Sequence, residues 1–198
     1  MYKTACNKKL SEILFSEHAR ASSISWFPSF AAEVRALEKD TCKAHVGAET
    51  RICDNNGTLD TCNEILELCD FIVASVHRFP GEEHSLSKEN FSPEKAIEIE
   101  YALSCAAINN PNVDILGHPF GMCISRFNIE PSEHYWLSLF QMAAEKDVAI
   151  ELNAKYHKYM LKKIIIWCKQ TGVRISPGSD AHSKDEVGNI CTLIKGFL

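Results

Sequence analysis

From Phe71 to Ala74, within Asp70-Phe71-Ile72-Val73-Ala74-Ser75-Val76-His77, every residue is apolar. A strand with one wet face would alternate, so this run has both faces buried, as strands do in a parallel sheet covered by helices. The run ends on an imidazole, and other segments repeat that grammar. Val113-Asp114-Ile115-Leu116-Gly117-His118-Pro119 is a strand followed by His, and His45-Val46-Gly47-Ala48-Glu49 finishes on a carboxylate. Ile13-Leu14-Phe15 is a short strand with Ser16-Glu17-His18 at its end. Val173 to Ile175 are β-formers stopped by Pro177-Gly178, which leaves Asp180 and His182 in a turn able to present both side chains one way.

Amphipathic segments lie between these strands. Phe30 to Lys39 sets Val34 and Leu37 against Glu33, Arg35, Glu38 and Lys39, with Pro28 near its start. Leu59 to Cys69 reads as a helix on Ile65, Leu66 and Leu68. Ser92-Pro93-Glu94 is a cap, a first-turn proline and an early acid, predicting a helix to about Ile108. Pro131-Ser132-Glu133 opens another, with Trp136, Leu139, Phe140 and Ala143 as its inward stripe. The strand Val148 to Asn153 follows, then a helix from about Lys158 to Gln170 stopped by Gly172, and Lys184 to Ile194 as a closing helix. Strand and helix alternating about six times is a parallel α/β architecture in one domain, residues 1–198. Pattern alone leaves open sheet and barrel undecided; polar groups at nearly every strand's carboxyl end favour a barrel, whose strand ends converge on one face.

Composition narrows the function. With 45% hydrophobic and 24% charged residues the chain can bury one sizeable core. A net charge of −5 without a long basic run argues against nucleic-acid or membrane partners and for a small molecule. No apolar run approaches a membrane span and Met1 to Leu10 holds no secretory core, so a cytoplasmic location is expected. The nine cysteines lack a Cys-x-x-Cys pair and read as reduced core residues.

His18, Glu49, His77, His118, Asp180 and His182 are therefore the candidate metal ligands. A lone His after an apolar run is more often structural, and Asp180 alone fits a helix cap before Lys184. Their joint placement at five strand ends is what points to a metal cluster. Carboxylate with imidazole suits zinc or manganese. Arg78, directly after His77, is a candidate for gripping a phosphate, and Lys155 a weaker one. His45 falls at the far end of its strand, His134 and His157 belong to helix starts, and Glu82, Glu83 and His84 form a solvated loop; none of these is counted.

The ordered series Ser16-Glu17-His18, Gly47-Ala48-Glu49, Ser75-Val76-His77, Gly117-His118-Pro119 and Ser179-Asp180-Ala181-His182 resembles the PHP family, named for polymerase and histidinol phosphatase, in its histidinol-phosphatase-like branch. The resemblance implies a distorted parallel β/α barrel of about seven strands, related to the TIM barrel, with two or three divalent metals. Zinc or manganese is the first choice, iron or magnesium the second. The implied reaction is hydrolysis of a small phosphomonoester through metal-bound hydroxide, with Asp180, His182 and Arg78 as catalytic residues. Glu49, His77 and His118 would complete one metal site, Glu49 and Asp180 would remain of a second, and His18 and His182 of a third. Family members open on a strand ending in His-x-His, and here no histidine precedes His18, with Cys6 the sole soft donor in that segment. The expectations are thus a barrel incomplete at its N-terminus, self-association through the open edge, and, as the alternative function, a degenerate scaffold that binds metal or a partner with little catalysis. Amide or ester hydrolysis on a similar barrel ranks below both, since no strand end offers a metal-bridging lysine.

Overall fold

The computed structural model describes residues 1–37, 41–80 and 92–197. Six strands, β1 (Glu12–His18), β2 (Lys43–Arg51), β3 (Phe71–Ser75), β4 (Ile115–Leu116), β5 (Ala149–Asn153) and β6 (Ile175–Gly178), pair in chain order, all parallel. The helices are α1 (Tyr2–Asn7), α2 (Phe27–Arg35), α3 (Asn63–Leu66), α4 (Pro93–Asn109), α5 (Glu133–Glu145), α6 (Leu161–Thr171) and α7 (Asn189–Ile194). Acids just before two strands fix register: Val46 N–H donates to Asp70 Oδ2 at 2.9 Å and Ile72 N–H to Asp114 Oδ2 at 2.8 Å.

The main core lies between the sheet and its helices, where Leu116 and Ile150 meet Leu103, Trp136, Leu139, Phe140 and Ile164. The opposite face carries a small cluster of Val73, Ile115 and Ala149, from β3, β4 and β5, against which Leu14 of β1 packs. In a flat sheet β1 would stand ~10 Å from β3 and ~19 Å from β5, so this packing reflects a sheet curled into part of a barrel. The described residues form an incomplete parallel barrel, as the strand grammar predicts.

The two ends of the curl are bridged by the N-terminal segment. Ala5 of α1 is buried with Cys42, before β2, and Val187, after β6, while Tyr2, Leu10 and Ile13 pack around them. Tyr2 Oη donates to the Cys42 carbonyl at 2.7 Å, and Lys8 Nζ to that of Val187 at 2.6 Å. The edge expected to stand open for self-association thus meets α1.

Several elements differ in extent from expectation. The helix expected over Leu59 to Cys69 shrinks to α3, because Asp54 Oδ1 accepts from Asn56 and Thr58 N–H in a turn that returns Leu59 to bridge Ile52. The helix predicted from Phe30 starts earlier, at Phe27, and ends at Arg35; Glu38 and Lys39 lie outside the described residues. So do Glu82, Glu83 and His84. The closing helix begins at Asn189 rather than Lys184, since the Glu186 carboxylate accepts from His182 N–H and Ser183 N–H and holds a separate turn first. Asp180 therefore caps no helix. No described helix is long and apolar enough to cross a membrane.

Candidate metal centre

Glu49 sits near the end of β2, in register with His18 of β1. Its carboxylate is the hub of the strand-end groups. His77 Nε2 and His118 Nε2 each lie 3.2 Å from Oε1, and His18 Nδ1 lies 3.7 Å from Oε2. Ser75, the last residue of β3, donates its hydroxyl to the same Oε1 at 2.8 Å. The imidazoles form a row across the mouth, with ring centroids 5.1 Å apart for His18 and His77 and 5.2 Å for His77 and His118. Exposure falls along it, from 62% for the His18 side chain to 6% for His118. The row opens to solvent at His18 and is closed at His118.

Local sequence explains the convergence. β4 stops after Leu116 because Gly117 backs onto β3: a Cβ there would lie 2.1 Å from Ser75 Oγ. The chain then turns through His118 at φ 25° and Phe120 at φ 59°, conformations costly for residues other than glycine, and the turn aims His118 back across the sheet. Gly121 completes it, since a Cβ there would meet His118 Nδ1 at 2.7 Å. The Tyr156 ring lies against His118, with centroids 4.5 Å apart.

Electrostatics favour a cation. Burial pushes the Glu49 carboxyl upward, but hydrogen bonds and charge from His118 and His77 outweigh it and hold Glu49 well below the usual carboxylate range. Burial lowers His118, and its hydrogen bond to Glu49, with Glu151 and Glu100 nearby, more than reverses that. The donor set also fits a cation by geometry: bonds of about 2.0–2.1 Å arranged tetrahedrally put ligand atoms about 3.3 Å apart, close to the Glu49–His77 and Glu49–His118 spacings of 3.2 Å. Ligand atoms of His18, Glu49 and His77 all lie within 4.8 Å of one another.

The remaining candidates sit apart from this hub. Asp180, at φ 48°, places Oδ2 3.5 Å from Lys155 Nζ and Oδ1 3.6 Å from His182 Nδ1. With Ser179, His182 and Glu186 they line a polar cleft of about 270 Å³. His182 is largely exposed and holds the Asp180 carbonyl through Nδ1 at 3.0 Å. Arg78 is exposed directly after His77. His45, set aside from sequence, is at the far end of β2 with Nε2 2.5 Å from Glu12 Oε2.

Sequence reasoning passed over Glu151 and set His157 aside as a helix start, whereas α6 begins only at Leu161. Glu151 Oε2 accepts from His118 N–H at 2.6 Å, and His157 is fully buried beneath the same turn. An acid inside the apolar run Val148 to Leu152 was the available signal for the first; His157, in a polar stretch, gave none.

The class that fold and site define is a parallel β/α barrel with a carboxylate–imidazole cluster at the carboxyl ends of its strands. Within it the fold is PHP-like, the incomplete parallel barrel of the solved structures it aligns with. The fold aligns with a Listeria monocytogenes protein assigned as a histidinol phosphatase, at TM-score 0.75 and 18% identity over 95% of this chain and 90% of that one. It also aligns with the histidinol phosphate phosphatase of Lactococcus lactis, solved with zinc, L-histidinol and phosphate, at TM-score 0.67 and 19% identity, covering 99% and 85%. In sequence it is 32% identical over 153 residues to a Clostridium acetobutylicum protein named as a probable phosphatase, covering 72% of this chain and 54% of that protein. The chain spans about half the length of that curated relative. No protein-family model matches.

Proposed function

We propose that the chain is a metal-dependent phosphatase acting on a small phosphomonoester, with histidinol phosphate the first substrate to try. The observation that carries this reading is the convergence of His18, His77 and His118 on the single carboxylate of Glu49. Support comes from the relatives named as phosphatases and from the zinc, histidinol and phosphate held by the Lactococcus protein.

Glu49, His18, His77 and His118 would hold a divalent ion, which when bound neutralises phosphoryl charge and acidifies water. Imidazole-rich donors favour zinc, manganese or iron over magnesium, which prefers oxygen. Arg78 offers two parallel N–H groups to phosphate oxygens at the exposed rim. Lys155, largely exposed, adds a second cation beside Asp180, and its flexible ammonium can turn from that carboxylate to a phosphate. Asp180 is the second acidic anchor, and His182, exposed beside it, is the group to carry a proton to the leaving alkoxide.

A second reading, a PHP-like scaffold that binds one cation without turnover, is favoured by the pairing of Asp180 with Lys155 instead of with the Glu49 hub. Hydrolysis of histidinol phosphate and an aryl phosphate, with manganese or zinc added stepwise, separates the two. The phosphatase reading expects activity that rises with metal and is lost in Asp180→Ala. Activity surviving that change means a contaminant or a one-metal mechanism, and inactivity at every metal concentration supports the scaffold.

A further inference from the structure

The turn from His118 to Cys123 is held by three ionisable side chains, Glu100 and His157 buried and Glu151 half-buried. Glu151 of β5 takes the His118 N–H on Oε2 at 2.6 Å, and its Oε1 accepts from Asn153 Nδ2 at 3.1 Å. His157, 0% exposed between β5 and α6, accepts the Asn153 N–H on Nδ1 at 3.2 Å. Its Nε2 therefore carries the proton and donates to the Pro119 carbonyl at 3.0 Å. Glu100 of α4, 1% exposed, accepts Met122 N–H on Oε1 at 3.0 Å and Cys123 N–H on Oε2 at 2.7 Å. Four main-chain groups of one short turn are thus satisfied by side chains from three separate elements.

Burying carboxylates is expensive unless each finds strong donors, and their number here far exceeds what closing a loop needs. What needs them is the backbone of the turn. His118 and Phe120 both sit at positive φ, which persists only when the surroundings over-determine it. Without the three anchors the turn would relax towards ordinary dihedrals and swing the His118 ring, whose Nδ1 has no partner of its own, away from Glu49. Gly178 is shaped to this end as well, since a Cβ there would lie 1.9 Å from Glu151 Oε1.

We propose that Glu151, His157 and Glu100 are positioning residues that clasp the His118–Cys123 turn and so aim the His118 imidazole at the metal centre, acting through the main chain without contact to metal or substrate. The inference rests on the reading of Glu49, His18, His77 and His118 as a metal site. Glu151 is the sharpest place to test it, because its carboxylate takes the N–H of His118 itself.

The experiment uses the full chain stripped of metal, in wild type, Glu151→Gln and Glu151→Leu, with cobalt(II) affinity read from its absorption bands and folding from circular dichroism. Glutamine keeps an oxygen to accept the His118 N–H, and leucine keeps the volume but no acceptor. The clasp predicts cobalt binding within a few-fold of wild type for Glu151→Gln and weaker by about 10- to 100-fold for Glu151→Leu, the usual cost of losing a partner that orients a ligand. Equal losses in both would make Glu151 a metal ligand, and unchanged affinity in a folded Glu151→Leu would make it structural only; either overturns the proposal. Amide exchange of wild-type protein gives a readout free of mutation and of metal: the His118 N–H should be among the slowest in the chain, and fast exchange contradicts the clasp. Absence of cobalt binding in wild type with a slow His118 amide would refute the metal site and leave the clasp standing.

Discussion

His118 and Glu49 are 69 residues apart in sequence, yet His118 Nε2 lies 3.2 Å from Glu49 Oε1. Between them pass β3 and the whole of α4, so the contact exists only because the sheet curls and β4 ends at Gly117. In His118→Ala the hub loses its most buried imidazole. Zinc affinity should fall by more than the 10- to 100-fold typical of an orienting partner. Competition against a chromogenic chelator measures it, and equal affinity in both proteins would remove His118 from the site.

Gly117 makes that geometry possible. In Gly117→Ala the new methyl would lie 2.1 Å from Ser75 Oγ and 3.0 Å from Val73 Cγ1, so β4 must shift off β3. Overpacking of this kind costs about 1–3 kcal/mol. Urea unfolding should show that loss, with part of it recovered in the double variant Gly117→Ala/Ser75→Ala; a neutral Gly117→Ala would mean that β4 and β3 are further apart than described.

Much of this was legible in the chain. The continuously apolar run at Phe71–Ala74 signalled a parallel sheet, although Phe71 itself is exposed, and the strand-end grammar named Glu49, His77 and His118 before any contact was known. Element lengths were less legible, because tertiary contacts set them: a turn at Asp54 pulled Leu59 out of its expected helix, and Glu186 delayed the last one. Glu151 and His157 stayed hidden for a different reason. Their roles lie in bonds to the backbone of a turn 33 and 38 residues away, which leave no mark in local pattern.

His157 gives a pH test. Burial lowers its pKa from 6.5 to about 4, so it stays neutral in the fold while the unfolded chain takes up a proton. Its contribution to stability is complete above about pH 6.5 and is lost as pH falls towards 4, by about 3 kcal/mol at most. Glu100 and Glu151 have raised values, about 6 and about 7, and work in the opposite sense, so the comparison must be made within one residue. The stability gap between metal-free wild type and His157→Gln should narrow from pH 7.5 to pH 5 in denaturant titrations. A gap independent of pH would mean that His157 takes up its proton in the fold as readily as in the unfolded chain.

The α1 contact predicts association behaviour. Ala5 is fully buried between Cys42 and Val187, so Ala5→Arg would drive α1 off both ends of the curled sheet. Stability should fall by on the order of 3 kcal/mol, from overpacking and an unpaired charge. The uncovered edge should then self-associate, seen as a concentration-dependent sedimentation coefficient absent from wild type. An Ala5→Arg protein as stable and as monodisperse as wild type would show that α1 does not seal the seam.

Glu49 is where the metal reading stands or falls, because all three imidazoles reach the centre through its two oxygens. Calorimetric titration of zinc into metal-stripped wild type and Glu49→Gln measures this most directly. Glutamine preserves size and hydrogen bonding but removes the charge that holds His77 and His118. A single tight site in wild type that weakens at least 100-fold in a folded Glu49→Gln is the predicted result, about 2.7 kcal/mol of binding free energy. Equal zinc affinity in the two proteins, or none in wild type, would contradict it.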